Sequence, residues 1–290
     1  MDRKNGGRES EGAEGAEGMK PAICIEMLYP GLSPEEKIRR VADMGFRCIE
    51  FWGYKDKDLE AIRNLKEDYS VQIVNFSGQR AGDLIDASMH PVLLHEIEES
   101  VGVARALGTR TLMVLTNELG EGGKVLHPCP HIPDSEKHKN VVAGLKAIMQ
   151  RVPDDMTIVL EPLNTVLDHQ GYYLASMRDA IAIIDEVGNP RLRILCDFYH
   201  LALMGEDPVE TVRQFAHYIG HIHIADYPGR HEPGTGRGAW NGVLIELQKR
   251  GYAGYVGFEF SPSGDTDASL RAVRTLWREA FGLGGTILVL

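Results

Sequence analysis

Short runs of apolar, β-branched and aromatic residues recur along the chain, and each is followed by a segment whose apolar residues fall three or four positions apart. The runs read as buried strands and the segments after them as amphipathic helices. "AICIEML" precedes a helix opened by "SPEE" at Ser33, where a serine cap, a proline at the first helical position and early glutamates satisfy the terminal amides and match the dipole. "FRCIEFW" leads to a predicted helix around Asp58 to Asp68, "SVQIVNF" to one over His90 to Leu107, and "TRTLMVL", after a long loop, to one over Ser135 to Arg151. "MTIVLEP" precedes Ser176 to Val187, "LRILCDF" precedes Pro208 to His217, "GHIHIAD" precedes Trp240 to Arg250, and "GYVGFEF" precedes Asp267 to Ala280.

Eight strand and helix pairs in roughly 260 residues have the count and size of an α/β fold of the (β/α)8 TIM barrel type. Strand and helix order alone does not reveal closure, so a doubly wound sheet is the alternative. The expected organisation is a disordered N-terminal tail over 1–19, one barrel domain over 20–282 and a C-terminal extension over 283–290. The tail, "MDRKNGGRESEGAEGAEGM", is rich in Gly, Glu and Ala and lacks the apolar region of a secretory signal.

Composition narrows the partners. The 290 residues are 43% hydrophobic, enough for a substantial core, and 42 acidic against 31 basic residues give a net charge of −11. That balance argues against nucleic acid and anionic membrane as partners, and no apolar stretch has the roughly twenty residues of a membrane span. Cys24, Cys48, Cys129 and Cys196 are scattered, and they read as free thiols in a reducing cytoplasm. His127, Cys129 and His131 alternate in a zinc-compatible way, but the prolines flanking Cys129 read as loop.

In a barrel the chemistry lies at the C-terminal ends of the strands. Polar residues collect there in the last four runs: Glu161 in "IVLEPLN", Asp197 in "RILCDFYH", His223 in "HIHIAD" and Glu259 in "VGFEFSP". A carboxylate finishing such a run is costly to bury alone. Three carboxylates and an imidazole on consecutive strands call for a shared cation, and this donor set suits Mn²⁺ or Mg²⁺ best, with Co²⁺ or Zn²⁺ possible. A metal chelated by a hydroxyketone acidifies the neighbouring C–H, so Glu161 and Glu259 can act as an acid and base pair that moves a proton through an enediolate. Return of the proton to the neighbouring carbon is isomerisation; return to the opposite face is epimerisation.

Other polar residues surround this centre. His200 and Arg230 are positioned to contact substrate oxygens, Asn164, Asp168 and His169 occupy the loop after the fifth run, and Glu50, Trp52, Asn75 and Ser77 end the second and third, as walls of a sugar pocket. His221 and His223 point to the same side of a strand; His223 is nearer the mouth and is the expected ligand, with His221 one layer deeper. The glycines of "PGTGRG" do not follow the dinucleotide fingerprint and read as loop.

These residues and the pieces "FRCIEFWG", "EPLNT", "GYYL", "CDFYH", "HIHIADYPGRHEP" and "GYVGFEFSP" resemble the xylose-isomerase-like TIM barrels, in the branch of hydroxypyruvate isomerase and the D-tagatose 3-epimerase relatives. The resemblance covers about residues 20 to 280. It implies one divalent metal held by Glu161, Asp197, His223 and Glu259, the two glutamates as acid and base, substrate contacts from His200 and Arg230, and a homodimer or homotetramer. Two departures bear on the substrate: "EPLNTVLDHQGYY" lacks the arginine and aspartate usual after this motif in hydroxypyruvate isomerases, and the loop "SGQRAGDLIDASMHP" lacks their Gly-Asp-Trp pattern. The expected function is a metal-dependent isomerase or epimerase of a ketose, hydroxypyruvate-like or keto-sugar substrate, a small carbohydrate or hydroxyketone. The alternatives are a metal-dependent dehydratase or lyase of a polyhydroxy compound, an endonuclease and a nonenzymatic sugar-binding module; the net charge disfavours the endonuclease, and the paired glutamates disfavour the binding module.

Overall fold

A computed structural model describes residues 18–282 of the chain. Eight strands run in parallel in sequence order: β1 (Lys20–Cys24), β2 (Cys48–Glu50), β3 (Gln72–Ser77), β4 (Thr111–Val114), β5 (Thr157–Leu160), β6 (Leu192–Asp197), β7 (Ile219–Ile224) and β8 (Tyr255–Phe258). β8 pairs back onto β1 through Lys20↔Tyr255 to Ile23↔Phe258, which closes the sheet into a barrel and excludes the doubly wound alternative. The strands are short and almost wholly buried because both of their faces are covered, the inner one by side chains across the barrel and the outer one by helices.

Around the barrel lie α1 (Pro34–Asp43), α2 (Leu59–Asp68), α3 (His90–Leu107), α4 (Asp134–Met149), α5 (Met177–Val187), α6 (Phe198–Leu203), α7 (Pro208–Phe215), α8 (Trp240–Lys249) and α9 (Thr266–Phe281). Ser33 and Glu36 form the reciprocal capping box of α1, and Asp58, Ser176, Asp207 and Asp265 cap four more helices. Each amphipathic helix turns its apolar stripe to the sheet; Trp277 of α9, for example, meets Phe258 of β8 edge to face with ring centroids 6.4 Å apart. No helix among the described residues is long and apolar enough to cross a membrane.

Two features depart from expectation. α6 is a helix that the eight predicted strand and helix pairs do not include: the Asp197 side chain accepts from the Tyr199 and His200 amides and starts it directly after the sixth strand. Met19, the last residue of the predicted tail, is 5% exposed and belongs to the core; 1–17 and 283–290 lie outside the described residues.

Candidate active site at the C-terminal mouth

Parallel register aligns the late strands so that their ends form a ring. Asp197 pairs with His223 and His223 with Gly257. Glu161 and Glu259 each lie one residue beyond their strands, where their amides still donate to Val114 and Ile224 carbonyls at 3.2 Å. The ladder thus extends to both glutamates and fixes their backbones. Glu161, Asp197, His223 and Glu259 are all buried, and one potential ligand atom from each lies within 4.8 Å of the others.

Contacts within the ring leave donors aimed at a common point. His223 Nδ1 is 3.3 Å from Glu259 Oε2 and 4.0 Å from Glu161 Oε1. Asp197 uses Oδ1 to cap α6, accepting from Tyr199 N at 2.8 Å, while its Oδ2 is buried without a hydrogen-bond partner among the described residues, as is His223 Nδ1. Orphaned acceptors at this depth are costly, and a divalent cation accepts lone pairs from all four groups at once. The residues therefore fit a metal ion.

The electrostatics separate the two glutamates. Burial pushes Glu161 well above the usual carboxylate range, and the negative charges of Glu259 and Asp197 add to the rise against the pull of His223. Burial also opposes the charge on Glu259, but Arg230 and His223 outweigh it and hold this carboxyl well below its ordinary value. Arg230 Nη2 donates to Glu259 Oε2 at 2.7 Å and lies 3.6 Å from Asp197 Oδ2, with its guanidinium over the Tyr199 ring at 5.0 Å. The Trp52 indole N–H also donates to Glu259, at Oε1. The protein surroundings alone thus set the two carboxyls apart, resisting the charge on Glu161 and favouring it on Glu259.

Beside the ring, the β5–α5 loop builds a supporting wall. Asn164 Oδ1 accepts from the Leu167 and Asp168 amides, which leaves its amide nitrogen to donate to Asp168 Oδ2 at 2.8 Å and to His200 Nδ1 at 2.7 Å. A neutral His200 accepting at Nδ1 carries its proton on Nε2, 3.5 Å from Asp197 Oδ2. Burial, reinforced by Arg230, keeps that imidazole well below its ordinary pKa and hence neutral. Tyr199 OH donates to Asp168 as well, and His169 Nδ1 donates to the Gly123 carbonyl at 2.7 Å. Gly123 comes this close with φ of 76°; a Cβ there would lie 2.7 Å from the His169 ring.

Above the ring opens a cavity of about 670 Å³ lined by Trp52, Arg80, Glu161, His200, Arg230 and Glu259, with Asp168, His169 and the turn of residues 119–123 completing its rim. Asn164 and Asn75 do not line it. Asn164 is fully buried and holds His200, whereas Asn75 donates to Glu50 deeper in the barrel. Glu50, read as a pocket wall, faces inward to His221 and His223. There, burial would raise its pKa, but the two imidazoles outweigh that effect and bring it down to about 2. His127, Cys129 and His131 do not converge: His127 Nδ1 pairs with Asp83 at 2.8 Å, and no group of potential ligands among the described residues includes Cys129.

The loop after β7 owes its shape to Asp226, whose carboxylate accepts from the amides of Tyr227, Gly234 and Gly238. This folds "PGTGRG" back on itself and projects Arg230 inward. His231 Nδ1 bonds the Ser261 carbonyl and so ties the loop to the one after β8. Arg80, which the sequence offers together with Arg230 as a substitute for the missing carboxylate-binding arginine, lies at the cavity rim, where its guanidinium has no hydrogen-bond or ion-pair partner among the described residues.

Comparison with known proteins agrees with this architecture. Hydroxypyruvate isomerase of Escherichia coli (strain K12) is 29% identical over 256 residues, covering 85% of this chain and 95% of that protein. A putative hydroxypyruvate isomerase of Xenopus laevis is 36% identical over 260 residues, covering 86% and 92%. Among solved structures, a family 2 AP endonuclease from Brucella melitensis superposes with a TM-score of 0.79 at 22% identity over 89% of this chain and 99% of that one. The apo form of 3-keto-D-glucoside 4-epimerase from E. coli gives 0.75 at 22% over 89% and 98%. At such identities these two structures speak for the fold alone. Residues 38–279 match the family described as xylose isomerase-like TIM barrel, nearly all of the barrel including the four-residue ring, and the chain belongs to that family.

Proposed function

We propose that the protein is a divalent-metal-dependent isomerase or epimerase of a small hydroxyketone or carbohydrate. The observation that carries this reading is the buried ring of Glu161, Asp197, His223 and Glu259, with two of its donor atoms lacking a hydrogen-bond partner among the described residues. A divalent cation held by these four residues, Mn²⁺ or Mg²⁺ by the hardness of three carboxylates and one imidazole, supplies Lewis acidity that makes the C–H beside a carbonyl removable. Glu259, paired with Arg230, accepts that proton, and Glu161 delivers one to the other side of the enediolate. His200 Nε2–H and Arg230 orient the substrate oxygens, Trp52 supplies an apolar wall, and His169 closes the rim beside it.

Substrate charge is read from the rim. Arg230 Nη2 already faces two carboxylates, whereas the Arg80 guanidinium, without a partner among the described residues, can meet a carboxylate such as that of hydroxypyruvate, the compound named for the E. coli relative. The cavity lining holds four acids, Glu121, Glu161, Asp168 and Glu259, against two arginines, which supports a small substrate over a nucleic-acid backbone. Four buried free thiols support a reducing, cytoplasmic setting, and the resemblance to the xylose-isomerase-like barrels implies a homodimer or homotetramer. We further propose residues 20–282 as one domain.

The test is an assay of metal-reconstituted protein against hydroxypyruvate, ketoses, aldoses and 3-keto-sugars in deuterated water. Isomerised or epimerised product carrying solvent deuterium beside the carbonyl is the expected result. Loss of water from the substrate instead would identify a dehydratase, and a protein that takes up no divalent ion would overturn the reading.

A further inference from the structure

Beneath the ring, the barrel interior holds a carboxylate for which the proton transfer has no use. Glu50 ends β2 and is 1% exposed, yet a single oxygen, Oε2, receives three donors: His221 Nε2 at 2.8 Å, His223 Nε2 at 3.1 Å and Asn75 Nδ2 at 3.2 Å. β2 and β7 are not neighbours in the sheet, so this contact spans the barrel. A charged side chain here is far costlier than the aliphatic residue that would pack an ordinary barrel interior.

The geometry of the contact dictates which ring nitrogen of His223 is free. Oε2 accepts, so each Nε2 facing it donates; once His223 gives up its second proton, as metal binding requires, the lone pair is left on Nδ1. That is the nitrogen lying 3.3 Å from Glu259 and 4.0 Å from Glu161, buried without a hydrogen-bond partner among the described residues. The His221 ring stands at 85° to that of His223, centroids 5.3 Å apart, and buttresses it from below. Room for the pair comes from β8: a Cβ on Gly257 would lie 2.2 Å from Glu50 Oε1 and 2.6 Å from His223 Cδ2. Glycine at this strand position keeps clear the space in which carboxylate and imidazole meet.

We propose that Glu50 is the positioning residue of the metal centre: by accepting the Nε2 protons of His221 and His223 it locks the tautomer and ring setting that aim His223 Nδ1 at the three carboxylates. The inference rests on the reading of Glu161, Asp197, His223 and Glu259 as a metal site. Such outer carboxylates orient ligating histidines and typically account for 10–100-fold in metal affinity.

The test compares wild type with Glu50→Gln by titration calorimetry of metal-depleted full-length protein with Mn²⁺, and by long-range ¹H–¹⁵N spectra of the histidine rings, which report the tautomer without metal or turnover. The expected result is Mn²⁺ binding weakened about 10–100-fold and a His223 Nε2–H signal that gives way to a tautomer mixture. Should Glu50→Gln not fold, Glu50→Asp, which keeps the charge but loses reach, is read the same way. Unchanged Mn²⁺ affinity with an unchanged His223 tautomer would overturn the proposal, even if the melting temperature fell, and would leave the metal site standing. A wild-type protein that binds no Mn²⁺ would overturn both.

Discussion

Arg230 Nη2 stands 2.7 Å from Glu259 Oε2 and places a permanent positive charge, carried by the loop after β7, against a carboxylate at the end of β8. Burial disfavours the charge on Glu259, and Arg230 is the largest influence that restores it. Arg230→Gln is therefore expected to raise the pKa of Glu259, so that its basic form is lost at a higher pH on acidification. In a pH profile of kcat/KM the acidic limb moves up, with activity down about 100-fold, within the range of a displaced acid–base group. An acidic limb that does not move would assign Arg230 to substrate binding alone.

Each of Glu161→Gln and Glu259→Gln is expected to lower kcat by about 10²–10⁴-fold, the usual contribution of a positioned acid or base. Exchange of the substrate C–H with deuterated water, followed by NMR, tells the two apart: loss of Glu259 stops exchange, whereas loss of Glu161 leaves exchange running ahead of product. Near-normal turnover in either variant would remove that glutamate from the chemistry.

Arg80 has its guanidinium at the cavity rim with no partner among the described residues. If an anionic substrate is held there, Arg80→Gln raises KM for hydroxypyruvate about tenfold, as expected for one charge-assisted hydrogen bond in a wet setting, and leaves KM for a neutral ketose unchanged. Equal effects on both substrates would show that Arg80 does not read charge.

His169 has its pKa lowered, chiefly by burial. Above about pH 6.5 the ring is neutral in both folded and unfolded chains and contributes no pH dependence. As pH falls below that value the unfolded chain takes up a proton that the folded one resists, so stability declines until the lowered folded pKa is passed. Thermal melts at a series of pH values from 7.5 to 5.5 should show a smaller decline for His169→Asn than for wild type, even though that variant starts lower through loss of the bond to Gly123. Parallel curves would contradict the assignment.

Gly257→Ala places a methyl group against Glu50, His223 and the Ile222 carbonyl at 2.2, 2.6 and 3.0 Å. Overpacking of this kind costs about 1–3 kcal/mol, measurable by urea unfolding. A variant as stable as wild type would mean that the strands give way more easily than their pairing on both sides suggests.

How much of this could be read from the chain alone depends on the range of each interaction. The alternation of buried runs and amphipathic segments is local, so order, number and approximate bounds of the eight units were legible: α3 spans the predicted His90–Leu107, and α5 starts at Met177, one residue after its predicted start at Ser176. A carboxylate closing a run like "TIVL" is a local anomaly too, which makes Glu161, Asp197, His223 and Glu259 stand out along the chain. Strand parity put His221 and His223 on one side, and distance from the mouth ranked them.

What each polar side chain faces is another matter. Glu50 and His221 are separated by 171 positions and meet at 2.8 Å only because the barrel closes and sets β2 opposite β7. The same closure turns Asn75 inward, and the fold of the β5–α5 loop sets Asn164 to holding His200 rather than lining the pocket. Arg230 reaches Glu259 because Asp226 gathers the loop after β7 around its carboxylate, a folding of the backbone that no period of hydrophobicity encodes. The sequence by itself determined which residues stand at the strand ends, since burial and periodicity act between neighbours along the chain. Which of them share a charge, a proton or a metal was decided by tertiary structure, because those energies depend on distances of roughly 3 to 4 Å across the barrel that only its closure sets.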